Sequence, residues 1–207
     1  MALHQNPQQH IGLHLPTRRR SQNATLPATS ESATTTTAAA YAFAGTRILL
    51  GFVFLWAFLD KAFGWGYATP AAKSWVNGGS PTKGFLSGVS AGPMQSTFNS
   101  WAGNGLVDWL FMLGLLGIGI GLVSGVALKL TAVAGTAMMA FMWMAEWPLA
   151  QHTSAGAPTM SSNPVVDYHV MFAAIMIALA VSAAGTAFSL GSRWARLPVV
   201  SRNGWLR

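Results

Sequence analysis

Residues 109 to 147 read WLFMLGLLGIGIGLVSGVALKLTAVAGTAMMAFMWMAEW, and this stretch decides the fold. Its 39 residues hold two charges, Lys129 and Glu146. A single helix of that length measures roughly 58 Å at ~1.5 Å per residue. The hydrocarbon core of a bilayer is only about 30 Å thick. The stretch therefore predicts two membrane helices joined by a turn near Ser124, Gly125 and Lys129. Asp108 precedes the first helix and Glu146 ends the second. Each lies roughly 24–25 Å along its helix from the turn. The hairpin lifts both carboxylates to similar heights, away from the turn.

Composition supports a multi-span α-helical membrane protein. The chain has 207 residues, 52% hydrophobic and 8% charged, against about 25% charged in soluble domains. The net charge of +7 comes mostly from cations in flanking segments. Such flanks set membrane orientation. No basic-aromatic pattern suggests a nucleic-acid partner. The absence of cysteine excludes thiol-disulfide chemistry, iron–sulfur ligation and covalent c-type haem within the chain.

In chain order, residues 1–40 read as a disordered cytoplasmic tail with a Thr34–Thr37 run. About 20 polar residues follow Arg18, Arg19 and Arg20, which disfavours a cleaved signal peptide. His4, His10 and His14 are spaced as solvated tail residues. Residues 41–190 read as a four-helix membrane domain and 191–207 as a basic cytoplasmic tail. The first span is expected from about Ala42 to Gly64, with Arg47 snorkelling at its inner end. A long outer loop, Trp65 to Gly103, links it to the second span, Leu106–Leu122. That loop should hold a short interfacial helix or a re-entrant piece over the helix ends. Gly117, Gly121 and Gly125 repeat at the spacing that allows close helix packing, within the monomer or across an oligomer seam. The third span is Leu130–Trp147. Its Met138, Met139, Met142 and Met144 read as adaptable core filling rather than haem or copper ligands. Asn163 and Pro164 suit an N-cap and N1 position, so the fourth span should run from there to about Leu190. Nine cations fall on the side of the termini and the 124–129 turn, and three, Lys61, Lys73 and Lys83, on the other. This places both termini in the cytoplasm of a multi-pass cell-membrane protein.

Each span contributes one acid to the outer end: Asp60, Asp108, Glu146 and Asp167. Ionisable groups in a membrane are costly and point to function. Helix ends are also where such groups cost least, and tryptophans there commonly form an interfacial belt. Glu146, Asp108 and one of the pair Asp167 and His169 are the candidates for a buried polar site. Asp167 and His169, two apart on a straight helix, should face nearly opposite ways. Asp60 and Lys61 read at least equally well as a local ion pair. No metal site is expected.

Several motifs resemble those of the DoxX/DoxD family. They are Arg47-Ile-Leu-Leu-Gly51, Asp60-Lys61, the run from Trp75-Val-Asn-Gly-Gly-Ser-Pro-Thr-Lys-Gly to Phe85-Leu86, Asp108-Trp109, Ala145-Glu146-Trp147-Pro148, and Asn163-Pro-Val-Val-Asp-Tyr-His169. The resemblance spans about Arg47 to Leu190. It implies a four-helix membrane subunit similar to that of a thiosulfate:quinone oxidoreductase, working with a partner redox subunit. In that reading Trp143, Trp109, Met142 and Trp56 bind the quinone ring. Glu146, Asp108, His169 and Asp167 are its acid–base candidates. A single membrane histidine excludes bis-His haem in a monomer and leaves His169 with a methionine open. The alternatives are a non-catalytic membrane scaffold for a redox-stress complex and a small transporter. The almost wholly apolar inner halves of the last three spans speak against the transporter.

Overall fold

The computed structural model describes residues 29–182 and 187–206, and among these it is helical with no strand. The helices are α1 (Thr29–Phe63), α2 (Lys83–Ser87), α3 (Gln95–Trp101), α4 (Gly105–Ser124), α5 (Leu128–Glu146), α6 (Tyr168–Val181), α7 (Gly191–Trp194) and α8 (Pro198–Arg202). Three of them carry stretches long and apolar enough to cross a membrane: Thr37–Phe63, Gly105–Ser124 and Leu128–Glu146. The chain is a multi-pass membrane protein. α6 is apolar but has only 14 residues, about 21 Å of helix.

The α4–α5 hairpin forms where the sequence places it. Asn104 caps α4, its side chain accepting from the amides of Leu106 and Val107 at 2.9 and 3.3 Å. Gly125 ends α4 in the left-handed region, with φ 68°. Its N–H donates back to Gly121 O at 2.9 Å, and Val126 N–H donates to the same carbonyl at 3.2 Å. Glycine adopts this conformation without the steric cost of a Cβ.

Two helix boundaries differ from the sequence reading. α1 begins at Thr29, so residues 29–40 of the expected tail are helical. Residues 1–28 of that tail, with Arg18–Arg20 and the three histidines, lie outside the described residues. Alanines 38–40 are strong helix formers, and extending a nucleated helix adds a hydrogen bond per residue. At the other boundary α6 starts at Tyr168, not Pro164, and ends at Val181, not Leu190. Asn163 does cap a turn, accepting from the amides of Val165 and Val166 at 2.9 Å each. Asp167 is the helix cap, extended at φ −116° and ψ −171°. Its Oδ1 accepts from the amides of His169 and Val170 at 3.0 and 3.1 Å.

α1 packs on α4, α4 on α5 and α5 on α6. The core between them holds Leu50, Phe54, Met112, Leu115, Ile118, Leu122, Met139, Met176 and Leu179. The methionines are core filling: Met139 is buried, Met138 and Met142 pack against this core, and Met144 packs against a second cluster. That cluster joins Leu86, Val89 and Phe98 of the 65–103 segment to Ala145. The segment therefore lies over the end of α5 and includes two short helices, α2 and α3. Trp147 closes α5 at φ 43° and lays its indole on Gly92, where a Cβ would stand 2.6 Å from Cγ. Outward faces carry Leu49, Phe52, Leu110, Leu113 and Val133, all exposed, as lipid contact requires.

The glycines do not form one seam. At Gly117 a Cβ would meet nothing within 4 Å. A Cβ at Gly121 would strike the Thr131 side chain on α5. The close α1–α4 crossing uses Gly51 and Gly119 instead. Added Cβ atoms there would stand 2.8 Å from Val123 N and 2.9 Å from Leu55 N, against backbone that cannot yield. Gly51→Leu is expected to lower the melting temperature in detergent markedly and Gly117→Leu to leave it near wild type. Scanning fluorimetry of both variants checks the assignment.

Arg47 does not snorkel. It is fully buried and donates to the carbonyls of Leu122, Val123, Ala187 and Phe188, the last three at 2.9, 3.2 and 3.1 Å. The final carbonyls of a helix lack intrahelical donors and carry its negative dipole end, so they suit a buried guanidinium. Each carbonyl left buried without a donor costs about 1–3 kcal/mol. Arg47→Leu should therefore destabilise the fold by at least about 2 kcal/mol, read as loss of folded monomer on size exclusion.

Candidate polar site

Four acids stand at the end of the bundle opposite the 124–129 turn, and they divide by role. Asp60 ends α1 and is buried. It accepts from the amides of Tyr67 and Ala68 at 3.2 and 2.9 Å and from the Thr69 side chain, and it also interacts electrostatically with Lys61. Asp108, in the first turn of α4, is also buried. Its Oδ1 accepts from Ser80 Oγ, Thr82 N and Thr82 Oγ1 at 3.0, 3.0 and 2.6 Å. Both residues hold the 65–103 segment onto the helix ends.

Glu146 and Asp167 form the actual cluster, with Tyr168 and His169. The Tyr168 hydroxyl donates to Glu146 Oε1 at 2.9 Å. His169 is fully buried, and its Nδ1 lies 2.8 Å from Asp167 Oδ2 and 4.0 Å from Glu146 Oε2. An ionised carboxylate only accepts, so Nδ1 carries the proton. Nε2 is buried with no hydrogen-bond partner among the described residues. The expectation that Asp167 and His169 diverge fails for a clear reason. Asp167 stands outside the helix in extended backbone, so helical spacing does not govern it and its carboxylate folds over the first turn. Asp108 is not a member of this group; its oxygen is committed to Ser80 and Thr82. One atom from each of Glu146, Asp167 and His169 lies within 4.8 Å of the others, a span that a divalent cation could bridge.

The cluster borders an open cleft of about 660 Å³. Its walls come from the two long loops, including Phe85, Val89, Met160 and Val166, with Glu146, Asp167 and Tyr168 along one side. The lining holds two carboxylates and no Lys, Arg or His. The aromatic residues expected to bind a ring lie elsewhere. Trp109 meets Trp75 edge-on at 4.5 Å. Trp56 sits among Phe52, Trp65 and Tyr67. Trp143 donates from Nε1 to Val165 O at 3.0 Å, and Met142 packs on the core. None of the four lines the cleft. Sequence reasoning missed Tyr168 as the partner of Glu146 and the loop residues that wall the cleft. The Asp167-Tyr168-His169 triplet held the signal, read as a helix cap.

No protein-family model, no curated protein and no solved structure matches the chain.

Burial alone would raise the Asp167 carboxyl. The hydrogen bonds from the His169 side chain, the Val170 amide and the His169 amide outweigh it and hold the group below the usual carboxylate range. A depressed folded value contributes stability that is complete above the unfolded pKa, about 3.9, and is lost as pH falls through the folded one. Asp167→Ala is expected to cost about 1 kcal/mol as a lost cap and to flatten the acid limb of the stability curve below about pH 4. Melting curves from pH 7 to 2.5 check both effects; an unchanged acid limb would contradict them.

Proposed function

We propose that the chain is a quinone-linked redox subunit of the cell membrane, a four-span bundle with α6 as its last span. Both termini then lie in the cytoplasm and the acidic end faces outward. The motif resemblance to DoxX/DoxD proteins supports this reading. The observation that carries it is the cleft beside the Tyr168–Glu146 pair. Its walls mix Phe85, Val89, Met160 and Val166 with serine, threonine and asparagine side chains, and the Tyr168 hydroxyl and the Glu146 and Asp167 carboxylates stand along one edge. Such a site suits a neutral ring with polar oxygens. Quinone reduction takes up two electrons and two protons. The chain has no cysteine for an iron–sulfur centre, so a partner redox subunit supplies the electrons. Glu146, with 38% of its side chain exposed, exchanges protons with the quinone oxygen, and Tyr168 orients it. Asp167 fixes the tautomer of His169 behind this pair. His169 is absent from the cleft wall, so haem in the cleft would lack that axial ligand.

Thiosulfate fits the cleft poorly. A dianion would meet Glu146 and Asp167 with no cation in the lining. In this reading thiosulfate oxidation belongs to a partner subunit. A non-catalytic scaffold is the competing reading, favoured by the use of Asp60 and Asp108 to hold loops. Lipid extracts of the purified protein should contain quinone. Glu146→Gln should retain quinone binding yet slow quinone reduction in native membranes by about a hundredfold, the lower end for general acid–base catalysis. Absence of quinone binding, or wild-type turnover in Glu146→Gln, would favour the scaffold.

A further inference from the structure

The opposite end of the bundle carries a different pattern. No Asp or Glu occurs from Trp109 to Ala145 or from Tyr168 to Arg207. The charges described there are Lys129, Arg193, Arg196 and Arg202, with Arg47 buried beneath them. Arg47 is engaged by carbonyl oxygens.

The chain after α6 folds back across this end. Leu190 N–H donates to Ser124 O at 2.8 Å. Trp194 Nε1 donates to Leu206 O at 2.7 Å, and Val200 is buried. The outer surface of this arm exposes Leu190, Leu197, Val199 and Trp205 among its exposed arginines. Apolar and cationic residues interleaved without acids are the composition of a segment lying at an anionic membrane surface.

Between the start of α5, the end of α6 and this arm lies a cleft of about 310 Å³. Leu128, Leu179, Ala180 and Val181 form much of its wall, Trp194 flanks it, and Lys129 is its only charged lining residue among the described residues. Lys129 is exposed, and its Nζ makes one long contact, 3.4 Å to Gly204 O. Arg193 is exposed beside Trp194.

We infer that this cleft binds an anionic phospholipid, with an acyl chain along Leu128, Leu179 and Ala180 and the headgroup phosphate at Lys129 and Arg193. Charge complementarity selects the headgroup. A zwitterionic lipid brings its own ammonium into a field of cations that no acid of residues 109–145 or 168–207 offsets. The apolar wall selects a lipid over free phosphate, which gains nothing from leucine side chains. The inference rests on the membrane placement of the helices and not on the quinone reading, so either can fail alone.

Native mass spectrometry of the full chain in detergent tests it. Phosphatidylglycerol and phosphatidylcholine with identical acyl chains are compared, with and without inorganic phosphate. Wild type should retain phosphatidylglycerol at least about fivefold better, the fold-change that corresponds to ~1 kcal/mol for one cation near an anionic headgroup. K129Q/R193Q should lose that preference, whereas K73Q/K83Q, at the acidic end, should keep it. Ala180→Trp, which fills the groove and leaves the charges in place, should reduce retention of both lipids. Melting temperatures measured alongside show that each variant is folded. Equal retention of the two lipids by wild type would overturn the proposal. So would an undiminished preference in folded K129Q/R193Q, undiminished retention in folded Ala180→Trp, or displacement of the lipid by millimolar phosphate.

Discussion

A guanidinium buried inside an apolar bundle is the constraint on which the rest of this structure depends. A charged group at membrane depth must find polar partners within the protein. Arg47 finds them in carbonyls from two separate segments, the end of α4 and the chain at 187–188. One side chain on α1 thereby fixes α4 and the segment beyond α6 at a single point. Gly125 belongs to the same arrangement, since a Cβ there would stand 2.7 Å from Arg47 Nη1. The left-handed turn that reverses the hairpin and the space that admits the guanidinium are supplied by one glycine.

With that end pinned by a cation and carbonyls, the acids gather at the other. Asp60 and Asp108 replace water for exposed amides and hydroxyls of the 65–103 segment, which can then pack Leu86, Val89 and Phe98 against α5. This fixed segment supplies Phe85 and Val89 to a wall of the cleft at the acidic end. Asp108 holds Ser80 and Thr82 just ahead of that wall. Structural and candidate functional acids are therefore linked: the first pair holds the segment that walls the cavity the second pair borders.

Much of this was legible in the sequence. The α4–α5 hairpin follows from length, two charges and Ser124-Gly125, because bilayer thickness and glycine geometry leave few alternatives. Asp60, Asp108, Glu146 and Asp167 read as one layer because each stands at a helix end. Their division of labour was not legible. It depends on which loop atoms reach each carboxylate, and loops 65–103 and 148–167 carry no periodic signal. The start of α6 was misplaced because Asn163 and Asp167 are both good caps, and only tertiary context selects the second. The same ambiguity concealed the Asp167–His169 contact, since two residues on one helix diverge while a cap and its first turn converge. The burial of Arg47 is not legible because its acceptors are main-chain oxygens, which no side-chain pattern reveals.

Asp167 folds back on His169 and fixes the imidazole beside Glu146. Solid-state nitrogen-15 NMR of the full chain in lipid bilayers at neutral pH, with labelled histidine, tests this contact directly. His169 is assigned by its absence from the His169→Asn spectrum. His169 is expected to carry a proton on Nδ1, with an aspartate carboxyl carbon within hydrogen-bonding range. A proton on Nε2 with Nδ1 bare, or no carboxyl carbon near Nδ1, would contradict it.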